Sequence, residues 1–562
     1  MKRNHILTIG LSLFFTATQL QAKVYHVKIN GTGDGSSWET ACGTLDDAID
    51  KAAIGDEIWI AAGTYKPTKL IKNRAKNSRH FLLKDGVSFY GGFEGTETDK
   101  AQRKMKDSGK AWEYVNETIL SGDDDGVEDK WVRTETPENP FIYGWEVEKN
   151  VVLGTEGNAN HLLFNKVELT APVTIDGLTL KGANAMDYKS ICAGGAIYAL
   201  GNVTITTCQF IENSCYFKAD GDRYANGSAI YLVGKGNAQI KDCYFYRTYA
   251  HAPSSQAKGG AVYAENVNIS NCDFTECVSL DFGGALFNVK GNVNNCTFKD
   301  CYARQGGAVV SDGIMRNNKI YTCRGVFGGG IYNSGVAINN IVANCFADYT
   351  LLGEDKGGQG GGVYNVGTFV GGLVYNCTSF LGGGIFNEGG KIINCTVQNN
   401  SLRKGTDNEN IAFKDGKEDP TKVINTLGNG IDIKANFVKP TEFKGCTLDE
   451  KLMKEVFEAD WNLKNKSEFI DKGEAITIEN YDKDVLGNKR VMGKGIDFGA
   501  IESNPKTAGI TQNVNNVANA QTNYYTINGQ YIGNKRPSQA GIYIAKTTNN
   551  QQTIKVCKVI VR

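Results

Sequence analysis

The chain has 562 residues, and its 61 Lys and Arg against 61 Asp and Glu leave no net charge, so it offers no electrostatic basis for binding nucleic acid or an anionic membrane. Gly fills 67 positions and Pro only 9, a Gly content well above the usual share of about 7%. That excludes collagen-like and Pro-rich chains and describes one that turns often, while an apolar content of 41% suffices for a core.

Residues 1–22 carry Lys2 and Arg3, an apolar run from position 6 to 15, and a polar stretch ending at Ala22. This is the pattern of a secretory signal peptide cut after Ala22, with export through the Sec pathway. The mature chain is expected outside the cytoplasm, free or at the outer-membrane surface, because no later stretch approaches the eighteen apolar residues of a spanning helix.

Residues 23–170 are expected to form an N-terminal cap and the first coils. From 44 to 55, Leu45, Ala48, Ile49, Ala52 and Ala53 recur at helical spacing, with Thr44 as N-cap and Gly55 as the stop. A strand over 57–61 follows. The acidic run Asp123, Asp124, Asp125, Glu128 and Asp129 reads as a solvated loop. It has oxygen ligands for Ca²⁺ but lacks the spacing of a Ca²⁺ loop.

Residues 171–400 are a repeat. The phrase Gly-Gly-small-apolar-aromatic recurs at 194–198, 259–263, 283–287, 328–332, 360–364 and 382–386, with weaker copies at 227–231 and 306–309. Aligned, the copies give a column Cys208, Cys243, Cys272, Cys296, Asn318, Asn340, Gly372, Cys395. Five residues on, a second column reads Asn213, Thr248, Cys277, Cys301, Cys323, Cys345, Cys377, Asn400. The shortest step is 22 residues and the longer steps hold insertions. Each unit alternates apolar and polar residues in short runs broken by Gly, Asn and Asp, which predicts short strands and tight turns without helix. One such unit is one coil of a parallel β-helix, with equivalent positions stacked about 4.8 Å apart. Leucine-rich repeats need a Leu frame that is missing, and propeller blades need about 40–50 residues. The predicted class is therefore all-β, a right-handed parallel β-helix solenoid with a helix cap and a small C-terminal β module.

Residues 401–504 are read as the last coils and a closing segment, 505–523 as a polar Asn-rich linker, and 524–562 as three short strands forming a sorting or anchoring module.

The strings at 33–38, 61–67, 90–97, 119–122 and 175–179 resemble the opening of bacterial secreted β-helix proteins with the pectin-lyase-like fold. The phrase at 194–197 followed by Phe210-Ile211-Glu212-Asn213 is similar to the paired motifs of chlamydial polymorphic outer membrane proteins. The tail, with Asn528-Gly529-Gln530 and Ala540-Gly541-Ile542-Tyr543, resembles the sorting region of surface proteins carried by the type IX secretion system, without its usual first strand. The resemblance implies fold more than activity.

Chemistry is sparse. The mature chain has four scattered His, at 26, 80, 161 and 251, which disfavours a His-based zinc centre or triad. The Cys columns read as stacked buried thiols, close enough along the solenoid for disulfides but not convergent enough for a metal. No cofactor is expected, Ca²⁺ at the acidic run being the one cation the sequence admits. Among enzymes of this fold, a lyase needs a cation and a base, and a hydrolase needs paired carboxylates. No coil face aligns with either set. The leading expectation is an exported, non-enzymatic, monomeric surface β-helix acting in adhesion or glycan binding, with host or bacterial surface molecules as partners. The alternative is a polysaccharide lyase or glycoside hydrolase. Candidate contacts are Tyr244, Tyr246 and Tyr249, which can stack on sugars, Asp220, Asp222 and Arg223 in an insertion, and Asp281 and Arg304, which adjacent coils should bring together as an ion pair.

Overall fold

The computed structural model describes residues 22–70, 78–123, 157–186, 192–216, 224–252, 256–348, 357–403, 410–414, 423–428 and 469–503, short pieces at 130–131, 152–153, 463 and 467, and the strands between 521 and 561. Of the expected signal peptide all but residue 22, the acidic residues 124–129, the expected linker up to residue 520, and Asp220, Asp222 and Arg223 lie outside the described residues, and 521–523, expected as linker, begin a strand. Contacts divide the chain into two units, Met1–Val491 with Gly495–Glu502, and Met492–Lys494 with Ser503–Arg562. No helix among the described residues is long and apolar enough to cross a membrane.

The first unit is a parallel β-helix. A representative coil runs through Val262–Glu265, Asn268–Ser270, Asp273–Thr275 and Val278–Ser279. Each strand pairs in parallel with its equivalent one coil on, as in Val262↔Leu286, Asn268↔Asn292 and Asp273↔Thr297. Repeated coil after coil, this builds a 23-stranded sheet from the first two strands, a 12-stranded sheet from the third, and shorter sheets from the fourth.

The two sequence columns are the inner corners of this solenoid. Before each Cys or Asn stands a residue at positive φ: Asn271 (54°), Asn295 (55°) and Asn317 (54°) at one corner, Glu276 (54°), Asp300 (54°) and Asn344 (54°) at the other. The left-handed residue turns the chain sharply, and the next side chain then points into the core, where only a small or self-satisfying group fits. Asn318 and Asn340 meet that need by bonding to each other, Nδ2 of Asn318 donating to Oδ1 of Asn340 at 2.9 Å. Every described cysteine is a free thiol and buried. In the two columns the S–H groups point at backbone carbonyls, Cys272 Sγ lying 3.2 Å from the Ser270 carbonyl oxygen. Between the corners Phe210, Phe245, Phe274 and Phe298 stack inside at 4.8, 4.5 and 4.7 Å.

The Gly-Gly phrase is explained by two separate constraints. The first Gly turns left-handed, with φ of 70° at Gly259 and 61° at Gly283. The second lies against the next coil's backbone, so that a Cβ on Gly260 would collide with the Gly284 carbonyl oxygen. Ser228, in a weaker copy, is accommodated because its hydroxyl donates to the Gly260 carbonyl.

A helix covers the N-terminal end, and a late segment packs along the side. The helix Leu45–Lys51 is capped by Thr44, whose side chain accepts from Asp47 N, and it seals Leu45, Ala48 and Ile49 onto the core. It stops earlier than its spacing predicts: Ala52 is already extended, and Gly55 (φ 94°) belongs to the following turn. Residues 469–491 and 495–502 of the same unit double back along the outside. Tyr481 packs on Ile338, Val370 and Ile393, and Ala500 and Ile501 pack on Leu373. The second unit contains a four-stranded antiparallel sheet of Gln521–Thr526, Tyr531–Gly533, Gly541–Asn549 and Gln552–Val561, one strand more than predicted.

Candidate functional site

Along the first strand of each coil, side chains alternate between core and solvent. The apolar residue of the repeat phrase points in, so the aromatic after it points out. Parallel register then stacks these aromatics into one outward row: Phe164, Tyr198, Tyr231, Tyr263, Phe287, Val310, Tyr332, Tyr364 and Phe386. Eight of the nine positions are aromatic, and at about 4.8 Å per coil the row is roughly 40 Å long.

The rings lie face to face. Tyr198 and Tyr231 are 4.9 Å apart at 14°, Tyr231 and Tyr263 5.0 Å at 12°, and Tyr332 and Tyr364 4.9 Å at 7°. Within the runs Tyr198–Tyr263–Phe287 and Tyr332–Tyr364, which Val310 separates, the faces are occupied by one another, and ring edges are left toward solvent with phenol hydroxyls at Tyr198, Tyr231, Tyr263 and Tyr332. Tyr198, Tyr231, Tyr263, Phe287 and Tyr332 are half-buried, while Tyr364 and Phe386 are buried. Burial pushes the Tyr231 and Tyr364 phenols up to about 12, which keeps them protonated and able to donate.

Charged groups flank the row. Lys166 Nζ sits 5.7 and 5.9 Å from the Phe164 and Tyr198 ring centres, and Lys258 Nζ 5.2 Å from that of Phe287. At the far end, Glu388 accepts hydrogen bonds from the Tyr364 hydroxyl and from Lys414 Nζ. Among the described residues no three His, Cys, Asp or Glu side chains are grouped as a metal site.

The candidates read from the sequence fall elsewhere. Tyr244 is outward, but Trp112 from the 99–115 loop stacks on it at 5.7 Å and 9°. Tyr246 lies beside it, under the Arg247 guanidinium at 4.9 Å. Tyr249 is a correction: it is 1% exposed, its hydroxyl 2.7 Å from His251 Nδ1, and it packs rather than faces a ligand. It lies beyond the second corner in a small cluster with Val278, Tyr302 and Val326, apart from the main core and flanked by Tyr216 and Phe327, a cover that spacing from Tyr246 does not reveal. Asp281 and Arg304 do come together across adjacent coils, 3.5 Å apart, and Asp281 also accepts from Ala257 N. The outward row itself was present in the sequence as the fifth residue of each phrase, where it reads as a signature of the coil and not as a surface.

No family model matches the sequence, and a comparison with curated proteins finds none that matches. Among solved structures, a rhamnogalacturonan lyase is similar at a TM-score of 0.34 and 11% identity, covering 79% of this chain and 96% of its own. Pectate lyase Pel9A is similar at 0.30 and 15%, over 86% and 96%. XylC in complex with xylose is similar at 0.36 and 11%, over 86% and 99%. Likenesses this distant bear on neither substrate nor activity, and the β-helix stands on the strand register alone.

Proposed function

We propose that this chain is an exported β-helix that holds a glycan chain along its side without needing a cofactor. The observation that carries the reading is the outward row: hydroxyls and ring edges repeating at one spacing within its runs suit a ligand that is itself a repeat. Each contact is weak, and several in register give useful affinity through a single polymer. Surface display for adhesion follows if the leader and tail act as their sequences suggest.

A second reading, cleavage of the bound polysaccharide, is favoured by one group. Glu388, Lys414 and Tyr364 place a carboxylate, a cation and a phenol together on the row, the ingredients of proton transfer beside an acidic or hydroxylated sugar.

Both are tested by incubating the mature protein with neutral plant, host and bacterial polysaccharides, measuring retention and released oligosaccharides in the same samples. Retention without products, weakened about tenfold by joint Tyr231→Phe and Tyr263→Phe, supports holding. Products abolished by Glu388→Gln support cleavage. Absence of both retention and products for every polysaccharide overturns the glycan reading.

A further inference from the structure

The corner between the second and third strands of each coil carries two outward columns, and most of their length is covered. Near the N-terminal end the 99–115 loop lies over them: Arg103 forms a forked pair with Asp176 at 3.1 and 3.2 Å, and Lys110 reaches Asp273 at 2.8 Å. From Ile338 onward the closing segment covers them, with Tyr481 on Ile338 and the Asn339 side-chain amide donating to the Lys483 carbonyl at 2.9 Å. Arg316, the register neighbour of Ile338, is the first residue the closing segment leaves uncovered.

A cavity of about 520 Å³ opens there, between the coil edge and residues 480–487. Arg316, Lys319 and Lys483 line it, together with Asp482 and Asp484. Three cations face two carboxylates, and the carboxylates are not equivalent. Asp484 is buried and spent on the turn: its oxygens accept from Leu486 N, Asn488 N, Asn488 Nδ2 and Glu502 N at 2.8 to 3.0 Å. Asp482 is exposed.

The cations have no such partners. Arg316 Nε is shielded from solvent and meets no acceptor, and the Asn294 Oδ1 of the coil beneath is likewise buried without a donor. Neither Lys319 nor Lys483 forms an ion pair among the described residues. Arg316 Nε is closed even to water, so an anion in the cavity would meet the outer guanidinium nitrogens, which are not shut off in this way and from which charge-assisted bonds to a planar anion are strong. The volume lies within the range of small-ligand pockets.

We infer that this pocket binds the carboxylate of a small organic acid, the two terminal nitrogens of Arg316 donating to it as a fork and Lys319 and Lys483 supplying charge at the rim. A sugar acid and a free dicarboxylic acid share that chemistry. The site lies on a different column from the aromatic row, so the two readings stand or fall separately.

The test is titration calorimetry of the full chain with glucuronate, succinate and glucose, repeated with Arg316→Gln and Lys319→Gln. Saturable binding of glucuronate or succinate, absent for glucose, weakened at least tenfold by Arg316→Gln and several-fold by Lys319→Gln, is the expected result. Preference for glucuronate over succinate assigns a sugar acid, and the reverse or parity assigns the free carboxylate. Glucose binding as well as glucuronate, no binding of either acid, or unchanged affinity in Arg316→Gln overturns the inference. If Arg316→Gln does not fold, the exposed Lys319→Gln decides: unchanged affinity there overturns it. Retention of neutral polysaccharide reports on the aromatic row alone and is unaffected by either outcome.

Discussion

Arg324 and Asp348, on adjacent coils, form an ion pair closed to water, with Arg324 Nη2 2.7 Å and Nε 3.3 Å from the two carboxylate oxygens. Their side chains are 3% and 0% exposed, and Arg403 reaches the same carboxylate from two coils further on. Removing the acid strands a buried guanidinium, which typically costs about 3–5 kcal/mol. Asp348→Ala is therefore expected to lower the urea midpoint severely. Arg403→Ala, at a partly exposed position, should cost only about 1 kcal/mol. Equal effects of the two substitutions in urea melts would contradict this ranking.

The two glycines of the repeat phrase should respond differently from glycines elsewhere. A methyl group on Gly284 would be driven into the Gly307 carbonyl, backbone that cannot step aside without parting two coils. Gly284→Ala is expected to destabilise by roughly 3 kcal/mol or to prevent folding. Gly389, also left-handed at 77° but with open space around it, should lose only about 1 kcal/mol on the same change. Thermal melts of the two variants side by side measure the cost of coil contact apart from that of backbone conformation.

His251 gives a pH dependence of known sign. Burial lowers its pKa to about 4, so it is neutral in the fold, where the Tyr249 hydroxyl can donate to Nδ1. In the unfolded chain it titrates near 6.5. The unfolded state binds the extra proton between those values, so the stabilisation is intact above pH 6.5 and is lost as the pH falls toward 4. Between pH 6.5 and 5 the loss is roughly 2 kcal/mol. His251→Gln should flatten that part of the stability profile. A variant whose melting temperature falls as steeply as that of the parent would show that His251 does not titrate this way.

The thiols should be silent. All 13 described cysteines are buried and free, and burial raises Cys243, Cys272 and Cys296 well above the usual thiol range. Against burial, Cys301 and Cys345 are shifted the other way by hydrogen bonds from neighbouring thiols in the ladder, so closure to solvent is what silences the whole set: a disulfide reagent should label no more than the two remaining cysteines quickly in the native protein. In denaturant all 15 should react. Rapid native labelling of more than two, or a shortfall after unfolding without reductant, would refute the free, closed ladder.

Reading the coil from sequence succeeded where each position answers to one constraint. Cys208 through Cys395 and Asn213 through Asn400 align because a left-handed corner admits few residues behind it. The structure places both columns at the predicted register, immediately before the paired strands that begin Gln209↔Tyr244 and Ser214↔Tyr249. Surfaces were less legible because they depend on what comes to lie over them. Tyr244 looks free in sequence and is covered by Trp112, more than a hundred positions away. Arg316 is distinctive only because the closing segment stops one coil short of it, a fact no repeat encodes. The helix ended early because Asp56 Oδ2 accepts from Ala53 N, drawing the chain into a turn before Gly55.

The closing segment also fixes an order of events. Each coil's template is the coil made just before it, so the solenoid can grow in the direction of synthesis. Residues 469–491 and 495–502 cannot take part in that growth, since Lys483 binds back to Asn339 and Ala500 to Thr396, across coils that must already exist. They act as a latch thrown last. Nascent chains arrested before residue 469 should show protected coils to protease with Ile338, Val370 and Ile393 still open, and that uncovered apolar stripe is where an unfinished molecule would stick to its neighbours.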